Sequence, residues 1–289
     1  MNKSATLLAC LLACALPAPA VLAAEGLQGL LEQATAPAAE TQAEPGERSS
    51  PAINLKKPSR EEEIKIGREI TGNLLGAAPL VKDDALQKYV NQVGRWVASQ
   101  SDRSDLPWHF GVIESEDLNA FAAPGGYVLI TKGLYRKLNN EAELAGVLAH
   151  EIGHVTRKHH LKLLQKTQLL SMGAGLLSGK LGKENQTVQK LIGSGAEICA
   201  RSLDKDAEFE ADRIGVVLAA RAGYDPYGLP EVLQVIGNSG KNDGRVALLF
   251  KTHPHPDDRL ATLGDAIGNR LDSVKEGKLL AERFYRLKN

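Results

Sequence analysis

His150 and His154 flank Glu151 in a His-Glu-x-x-His segment that could hold a metal ion. In an α-helix, residues four positions apart lie on one face about one turn apart, so both imidazoles can reach the same ion. Glu151 then projects beside them, within reach of a water on that ion. Two neutral imidazoles and a carboxylate base are what a zinc hydrolase needs, and the segment predicts such a site. The alternative is a pair of hydrogen-bonded histidines in an ordinary helix core.

The flanks of this segment predict the helix that would position it. Residues 139–143 are Asn-Asn-Glu-Ala-Glu, a plausible N-cap followed by acids that suit the first helical turn. The residues that supply its apolar surface are Leu144, Val147, Leu148, Ile152 and Val155. Because polar groups are costly to bury without partners, a largely buried helix favours a functional role for its histidines.

A third protein ligand is expected, since two histidines alone hold zinc weakly. Glu208 and Asp212 lie four positions apart, on one face of a predicted helix. Glu208 would bind zinc, and Asp212 would accept a hydrogen bond from a ligand histidine. The alternative is a solvated charged face, in which these acids and Glu210 pair with Lys205 and Arg213. The His-Glu-x-x-His segment elsewhere in the chain favours the ligand interpretation.

His159 and His160 are not expected to be ligands. A glycine at position 157 could break the helix and let His160 bind the same ion, but that position holds Arg157. In an unbroken helix His160 lies nearly three turns from His150 and cannot reach its ion. We therefore expect His159 and His160 to be exposed or to contact the end of the helix.

Composition limits the class of protein and its partners. The chain has 289 residues and is 43% hydrophobic, enough for one large domain or two small ones. Its zero formal net charge and sparse aromatic residues argue against nucleic acid as a partner. Residues 25–58 are rich in Ala, Pro, Glu and Gln, which predicts a disordered linker before one domain at 59–289. No later segment predicts a transmembrane span.

The N-terminus predicts export. Residues 1–24 contain Lys3, an apolar stretch over 5–21 and small residues before a cleavage site near Ala24, as in a secretory signal peptide. The residues leading to Cys14 resemble a lipoprotein cleavage box, but the apolar stretch before them is short and a better site follows. We therefore expect a periplasmic protein without lipidation at Cys14, although association with the outer membrane stays open.

Hydrophobic periodicity predicts a mostly helical α+β fold with a small sheet. Helices are predicted from a capping box at Ser59 to Glu62, over residues 84–99, 139–155, 161–181, 186–222 and 230–236, and from residue 257. Strands are predicted over residues 108–113, 119–122 and 127–131, the last two joined by a glycine turn. The stretch over residues 278–287 is predicted to be helical or extended.

Four blocks in this order resemble those of one metallopeptidase family. Asn119 to Gly126 is similar to its Asn-Ala-Phe-x-x-Pro-Gly-Gly block, and His150 to His154 to its zinc helix. Glu208 to Asp212 matches its Glu-x-x-Ala-Asp block, and Thr252 to Arg259 its C-terminal Thr-His-Pro block. The sequence thus resembles family 48 of the metallopeptidases, which includes HtpX, the CAAX prenyl proteases, BepA and LoiP. LoiP is the closer analogue in size, because the chain ends soon after the peptidase core.

The resemblance implies a zinc metalloendopeptidase with a single zincin-type domain of the gluzincin class. It implies one Zn²⁺ per chain on His150, His154 and Glu208, and it places the third ligand at Glu208 rather than Glu210. Asp212 would hydrogen-bond a ligand histidine. Glu151 would take a proton from the attacking water and deliver it to the leaving amine.

The resemblance also assigns His253 and Arg259 to the site. Either could share the charge that develops on the carbonyl oxygen. His253 could instead occupy the fourth position on zinc and hold the enzyme latent, and both tasks stay open for it. His255 is a weaker candidate for either task. The alternative for this stretch is a plain surface loop stiffened by proline.

The strand formed by Asn119, Ala120, Phe121 and Ala122 is predicted to edge the active-site cleft. An edge strand can bind an extended peptide by strand addition, which favours unfolded or extended polypeptides as substrates. The alternative for this block is a plain hairpin. The resemblance implies quality control of unfolded or misassembled envelope proteins, with the outer-membrane assembly machinery as a partner. An interpretation of another class is a periplasmic chaperone-like or binding factor that keeps a latent zinc site.

Overall fold

The structure, a computed structural model, describes residues 57–167, 203–239, 243–272, 274 and 277–287. These ranges are mostly helical with one small sheet, which confirms the predicted α+β class. The named helices are α1 (Arg60–Ala77), α2 (Asp84–Ala98), α3 (Lys132–Tyr135), α4 (Glu141–Thr156), α5 (Lys205–Arg221), α6 (Gly228–Gly237), α7 (Ala247–Thr252) and α8 (Pro256–Ile267), and residues 159–167 are helical as well. The strands are β1 (His109–Ile113), β2 (Ala120–Ala123) and β3 (Tyr127–Thr131). None of the described helices is long and apolar enough to cross a membrane.

The predicted signal peptide and nearly all of the predicted linker lie outside the described residues. So does Cys14, the residue considered for lipidation. The first described helix, α1, begins with the predicted capping box: Ser59 accepts a hydrogen bond from the backbone of Glu62, whose side chain accepts one from the backbone of Ser59. The capping box therefore fixes where α1 begins.

The described strands form one sheet in the order β1-β3-β2, with β1 parallel and β2 antiparallel to β3. β2 and β3 are the predicted hairpin, and their register pairs Phe121 with Leu129. Gly125 and Gly126 turn the chain with φ of 76° and 96°, a region that glycine adopts without strain. The order of the strands puts β2 at an edge of this sheet, in contact with α4.

Helix α4 carries the His-Glu-x-x-His segment through the centre of the fold. Every residue from Glu141 to Val155 is buried, and Asn140 caps the first turn by accepting a hydrogen bond from the backbone N–H of Glu143. A Cβ at Gly153 would lie 3.2 Å from the Cα of Ala211 on α5. The absence of a side chain at Gly153 therefore lets α5 approach α4 closely enough for its acidic side chains to reach the histidines.

The start of α4 is tied to the C-terminal segment by a buried carboxylate. Glu141 accepts hydrogen bonds from the hydroxyls of Tyr89 (2.9 Å) and Tyr224 (2.7 Å) and from Nε of Arg283 (2.8 Å). Burial acts to raise the pKa of Glu141, but the hydrogen bonds from Arg283 and the two tyrosines hold it below its usual value. Residues 277–287 contain no helix; they form one isolated bridge, from Lys278 to Tyr224, and a turn over 281–284, so the helical alternative is wrong for this stretch.

The prediction of one continuous helix over residues 186–222 is wrong. Leu203 and Asp204 are not helical, and α5 begins at Lys205. Asp204 has an extended backbone, with φ of −62° and ψ of 143°, as an N-cap residue does. The earlier part of that prediction, and most of the predicted helix over 161–181, lies outside the described residues. The sequence pattern also does not predict the short helices α3 and α7.

Candidate metal centre

Three side chains predicted as metal ligands converge between α4 and α5. Nε2 of His150 lies 3.0 Å from Nε2 of His154. The carboxylate of Glu208 faces both rings, with Oε2 3.7 Å from Nε2 of His150 and Oε1 3.5 Å from Nε2 of His154. All three residues are buried, and one atom of each lies within 4.8 Å of the others. Such a cluster has the size and the donor types of a metal site.

The surroundings of Glu208 suit a bound metal ion, because the described residues offer its buried carboxylate no hydrogen-bond donor. The residue is fully buried, yet neither carboxylate oxygen accepts a hydrogen bond in the described part of the chain. Burial raises the pKa of this group to about 8, although the charge of Arg259 opposes the shift. A buried carboxylate without a donor is costly, and a bound cation removes that cost. Two imidazole nitrogens and one such oxygen form a donor set that suits zinc.

Asp212 lies behind His150, as predicted, and fixes the orientation of that ring. Oδ1 of Asp212 is 2.9 Å from Nδ1 of His150. Arg259 donates to the same carboxylate from Nε (2.9 Å) and Nη2 (2.5 Å). Burial alone would raise the pKa of Asp212, but Arg259 and His150 hold it well below its usual value. Asp212 is therefore a charged acceptor that leaves Nε2 of His150 directed at the cluster.

Arg259 stands next to the histidines but is engaged with Asp212. Its guanidinium is buried, and Nη2 also lies 3.2 Å from Nδ1 of His150. It is not among the residues that line the cavity at the cluster. The structure therefore places Arg259 where it holds Asp212, and its task as an oxyanion donor stays a prediction.

A cavity of about 10 Å³ adjoins the cluster, which is the volume that one water centre needs. The residues that line it are Ala120, Phe121, Ala122, Glu151, His154, His160, Leu203, Glu208, Thr252 and His253. Burial raises the pKa of Glu151 to about 8, against the effect of Arg259. The predicted base therefore lines the same small cavity as two of the predicted ligands, His154 and Glu208.

The structure brings three of the four residues of the predicted substrate strand to this cavity. Ala120, Phe121 and Ala122 line it, and all of β2 is buried. Asn119 does not line it: its backbone N–H donates to the hydroxyl of Thr131, and its Oδ1 accepts from the backbone of Ala120. Asn119 therefore shapes the start of the strand in this structure.

His253 also lies at the cluster, beside His150 and His154. It follows the last residue of α7, and its Nδ1 lies 3.7 Å from Oε2 of Glu208 with no hydrogen-bond partner in the described residues. The rings of His150 and His253 are 5.8 Å apart between centroids. His255 lies further away, where it caps α8 and packs on Phe250. Both predicted tasks of His253, latch and oxyanion donor, are compatible with this position.

Of the two alternatives predicted for His159 and His160, exposure and contact with the end of the helix, exposure is wrong, because both residues are buried. Helix α4 ends at Thr156, and the chain turns through Lys158, whose φ is 58°. The turn brings both histidines back into the core, and Nδ1 of His159 lies 2.9 Å from Nδ1 of His154. The prediction assumed an unbroken helix, and no glycine in the sequence indicates this turn.

Comparison with known proteins finds one matching family model and several relatives. Residues 84–267 match the model described as Peptidase family M48. The chain is 32% identical over 236 residues to the beta-barrel assembly-enhancing protease of Yersinia pestis, covering 78% of this chain and 47% of the relative. The protein of the same name in Escherichia coli K12 is 33% identical over 207 residues, covering 69% and 42%. The mitochondrial metalloendopeptidase OMA1 of Schizosaccharomyces pombe is 29% identical over 172 residues, covering 60% and 50%.

The matched segment is only part of each relative. The chain spans about half the length of these relatives, from 42% to 50%. The matched family model includes α4, α5 and Arg259 but ends before the C-terminal residues that contact Glu141. The shared part is therefore the part that carries the histidine and carboxylate cluster.

Proposed function

Because the chain belongs to peptidase family M48, we propose that it is a zinc-dependent endopeptidase with one Zn²⁺ bound by His150, His154 and Glu208. The carboxylate of Glu208 carries this proposal, since its oxygens face two imidazole nitrogens and accept no hydrogen bond in the described residues. Three protein ligands would leave a fourth position open for chemistry, as catalytic zinc sites require.

Glu151 performs the proton transfers in this proposal. Bound zinc would lower the pKa of a water in the cavity and polarise the scissile carbonyl. As the water oxygen bonds to the carbonyl carbon, a carboxylate oxygen of Glu151 takes one of its protons. It returns that proton to the amide nitrogen as the C–N bond breaks. Glu151 is buried and lines the cavity, which places its carboxylate beside the space for such a water.

The substrate class in this proposal is unfolded or extended polypeptide bound along β2. The support is that Ala120, Phe121 and Ala122 line the same cavity as Glu151. Because the cavity has room for about one water, we expect the segments around it to move when a peptide binds. His253 follows α7 at the rim of this cavity, where its movement would open the site or bring a donor to the carbonyl oxygen.

Two further points support a role in envelope quality control. The predicted signal peptide over residues 1–24 supports a periplasmic location. Two relatives carry the name beta-barrel assembly-enhancing protease, which supports misassembled envelope proteins as substrates and the outer-membrane assembly machinery as a partner.

Casein hydrolysis by the purified protein tests the activity. We expect cleavage that a chelator abolishes and added zinc restores, and no cleavage by Glu151→Gln at equal zinc content. Activity that persists without metal, or in Glu151→Gln, contradicts the proposal.

The small volume of the cavity, about 10 Å³, favours one second candidate, a chaperone-like factor with a latent zinc site. In that case wild type and Glu151→Gln would suppress the aggregation of an unfolded client equally, and neither would cleave it. Measuring aggregation and cleavage in one reaction separates the two functions.

A further inference from the structure

We infer that His159 and Glu210 are positioning residues that orient His154 from the side opposite its metal-facing nitrogen. Nε2 of His154 faces Glu208, while its Nδ1 lies 2.9 Å from Nδ1 of His159. Nε2 of His159 lies 3.0 Å from Oε2 of Glu210. These three side chains form one continuous line from the cluster to a carboxylate. The inference rests on the proposed zinc site, because its subject is the orientation of one of the ligands.

The contacts admit one assignment of protons once Nε2 of His154 binds a metal. Nδ1 of His154 must then carry the hydrogen, so it donates to Nδ1 of His159. His159, accepting at Nδ1, carries its own hydrogen on Nε2 and donates it to Glu210. Glu210 also accepts from Nε of Arg157 at 2.6 Å. Each imidazole is therefore held in a single tautomer by a charged acceptor at the end of the line.

His150 has the same kind of support in a shorter form. Its Nδ1 contacts Asp212 directly at 2.9 Å, whereas His154 reaches its carboxylate through the His159 ring. Both carboxylates come from α5, two positions apart, and Glu208 comes from the first turn of the same helix. The acid block of α5 therefore serves both histidines, and Glu210 has a defined task beyond a solvated charge.

The test compares two replacements of His159 that differ in hydrogen bonding. His159→Phe keeps a ring but removes both nitrogens, and His159→Gln keeps an acceptor for the hydrogen on His154. We expect His159→Phe to weaken zinc binding about 10- to 100-fold and His159→Gln to weaken it less. Lys162→Gln, at an exposed position in the same helical stretch as His159, is the matched control and should change zinc affinity by no more than about twofold. Affinity is measured by chelator competition, and urea unfolding of the metal-free proteins checks that each variant is folded.

Combined variants distinguish one line from two independent contacts. Glu210→Gln added to His159→Phe should cause little further loss of zinc affinity, because the line is already broken. Asp212→Asn added to His159→Phe should multiply the loss, because it acts on His150. Should His159→Phe fail to fold, Glu210→Gln alone, at a less buried position, carries the test with an expected loss of up to about tenfold.

Two results would overturn the inference. One is zinc affinity within about twofold of wild type in both His159→Phe and Glu210→Gln. The other is an equal loss in His159→Phe and His159→Gln, which would mean that packing rather than hydrogen bonding matters. If the wild-type protein itself binds no zinc, the proposed function fails, and the inference fails with it. If the wild type binds zinc and the variants bind it equally well, only the inference fails, so the two failures are distinguishable.

Discussion

Replacing Asp212 by Asn tests whether a charged acceptor behind His150 holds the proposed metal site in place. The wild-type carboxylate accepts from Nδ1 of His150 and from two nitrogens of Arg259, and it is almost fully buried. Asn keeps the shape of Asp but has one acceptor oxygen, an NH₂ group that cannot accept, and no charge. At least one of the three hydrogen bonds must therefore be lost.

The expected cost has two parts. Loss of a hydrogen-bond partner behind a metal-binding histidine weakens metal affinity about 10- to 100-fold, which is about 1.4–2.8 kcal/mol. Arg259 is 4% exposed, so removing its counter-charge leaves a buried cation. Breaking a buried pair in this way costs about 3–5 kcal/mol. We therefore expect a loss of this size in metal-free protein.

Two assays separate these parts. Chelator competition gives the zinc affinity, and urea unfolding in the presence of chelator gives the stability of the metal-free protein. Asp206→Asn, at an exposed position on the same helix, is the matched control and should change neither. Adding Arg259→Gln to Asp212→Asn should restore part of the stability but none of the zinc affinity. Zinc affinity within twofold of wild type in folded Asp212→Asn would refute the assignment of Asp212.

Four further predictions concern single carboxylates and His253. Glu208→Gln should lose most bound zinc after dialysis while Glu210→Gln keeps it, and the reverse result would exchange the two assignments. Glu151→Gln should keep zinc but lose casein hydrolysis by orders of magnitude, since it removes a base and no ligand; a rate near wild type would exclude Glu151 from the mechanism. Glu141→Gln should lower the free energy of unfolding at pH 7 by about 1–3 kcal/mol. Because the pKa of Glu141 is lower in the folded state than in the unfolded state, this difference should vanish as the pH falls through that folded value, and a constant difference would argue against the charged group. His253→Ala should raise basal casein hydrolysis if His253 is a latch, the outcome we expect, whereas a loss of about 10²- to 10³-fold at matched zinc content would make it an oxyanion donor.

The parts of the site that follow from local periodicity could be predicted from the sequence. The spacing of His150 and His154 fixes their common face on any α-helix, and the spacing of Glu208 and Asp212 does the same on α5. The structure brings these four side chains together. Periodicity could not give the order of the strands or the distance between α4 and α5, because both depend on contacts between distant residues.

The turn at Lys158 shows why the environment of His159 was not predictable. A positive φ at a residue other than glycine is uncommon and has no sequence signal here. The turn is supported by a distant contact, since Nζ of Lys158 lies 3.1 Å from the fully buried carboxylate of Glu63 on α1. Only the folded structure brings these two residues together, so reasoning along the chain extends α4 too far. The same error placed His159 and His160 at the surface.

The packing of α5 against α4 and the chemistry of the site depend on each other. Glu208, Glu210 and Asp212 all come from α5, and the histidines that contact them from α4 and the segment after it are His150, His154 and His159. A Cβ at Gly153 would lie 3.2 Å from the Cα of Ala211, so α5, which carries all three acids, would have to shift by a few tenths of an ångström to accept it. Conversely, a metal ion held by residues of both helices would oppose their separation, so its binding free energy would add to the stability of the fold. The buried carboxylate of Glu208, which lacks a hydrogen-bond donor among the described residues, and Gly153, which allows close packing, would thus both be required by the proposed metal site.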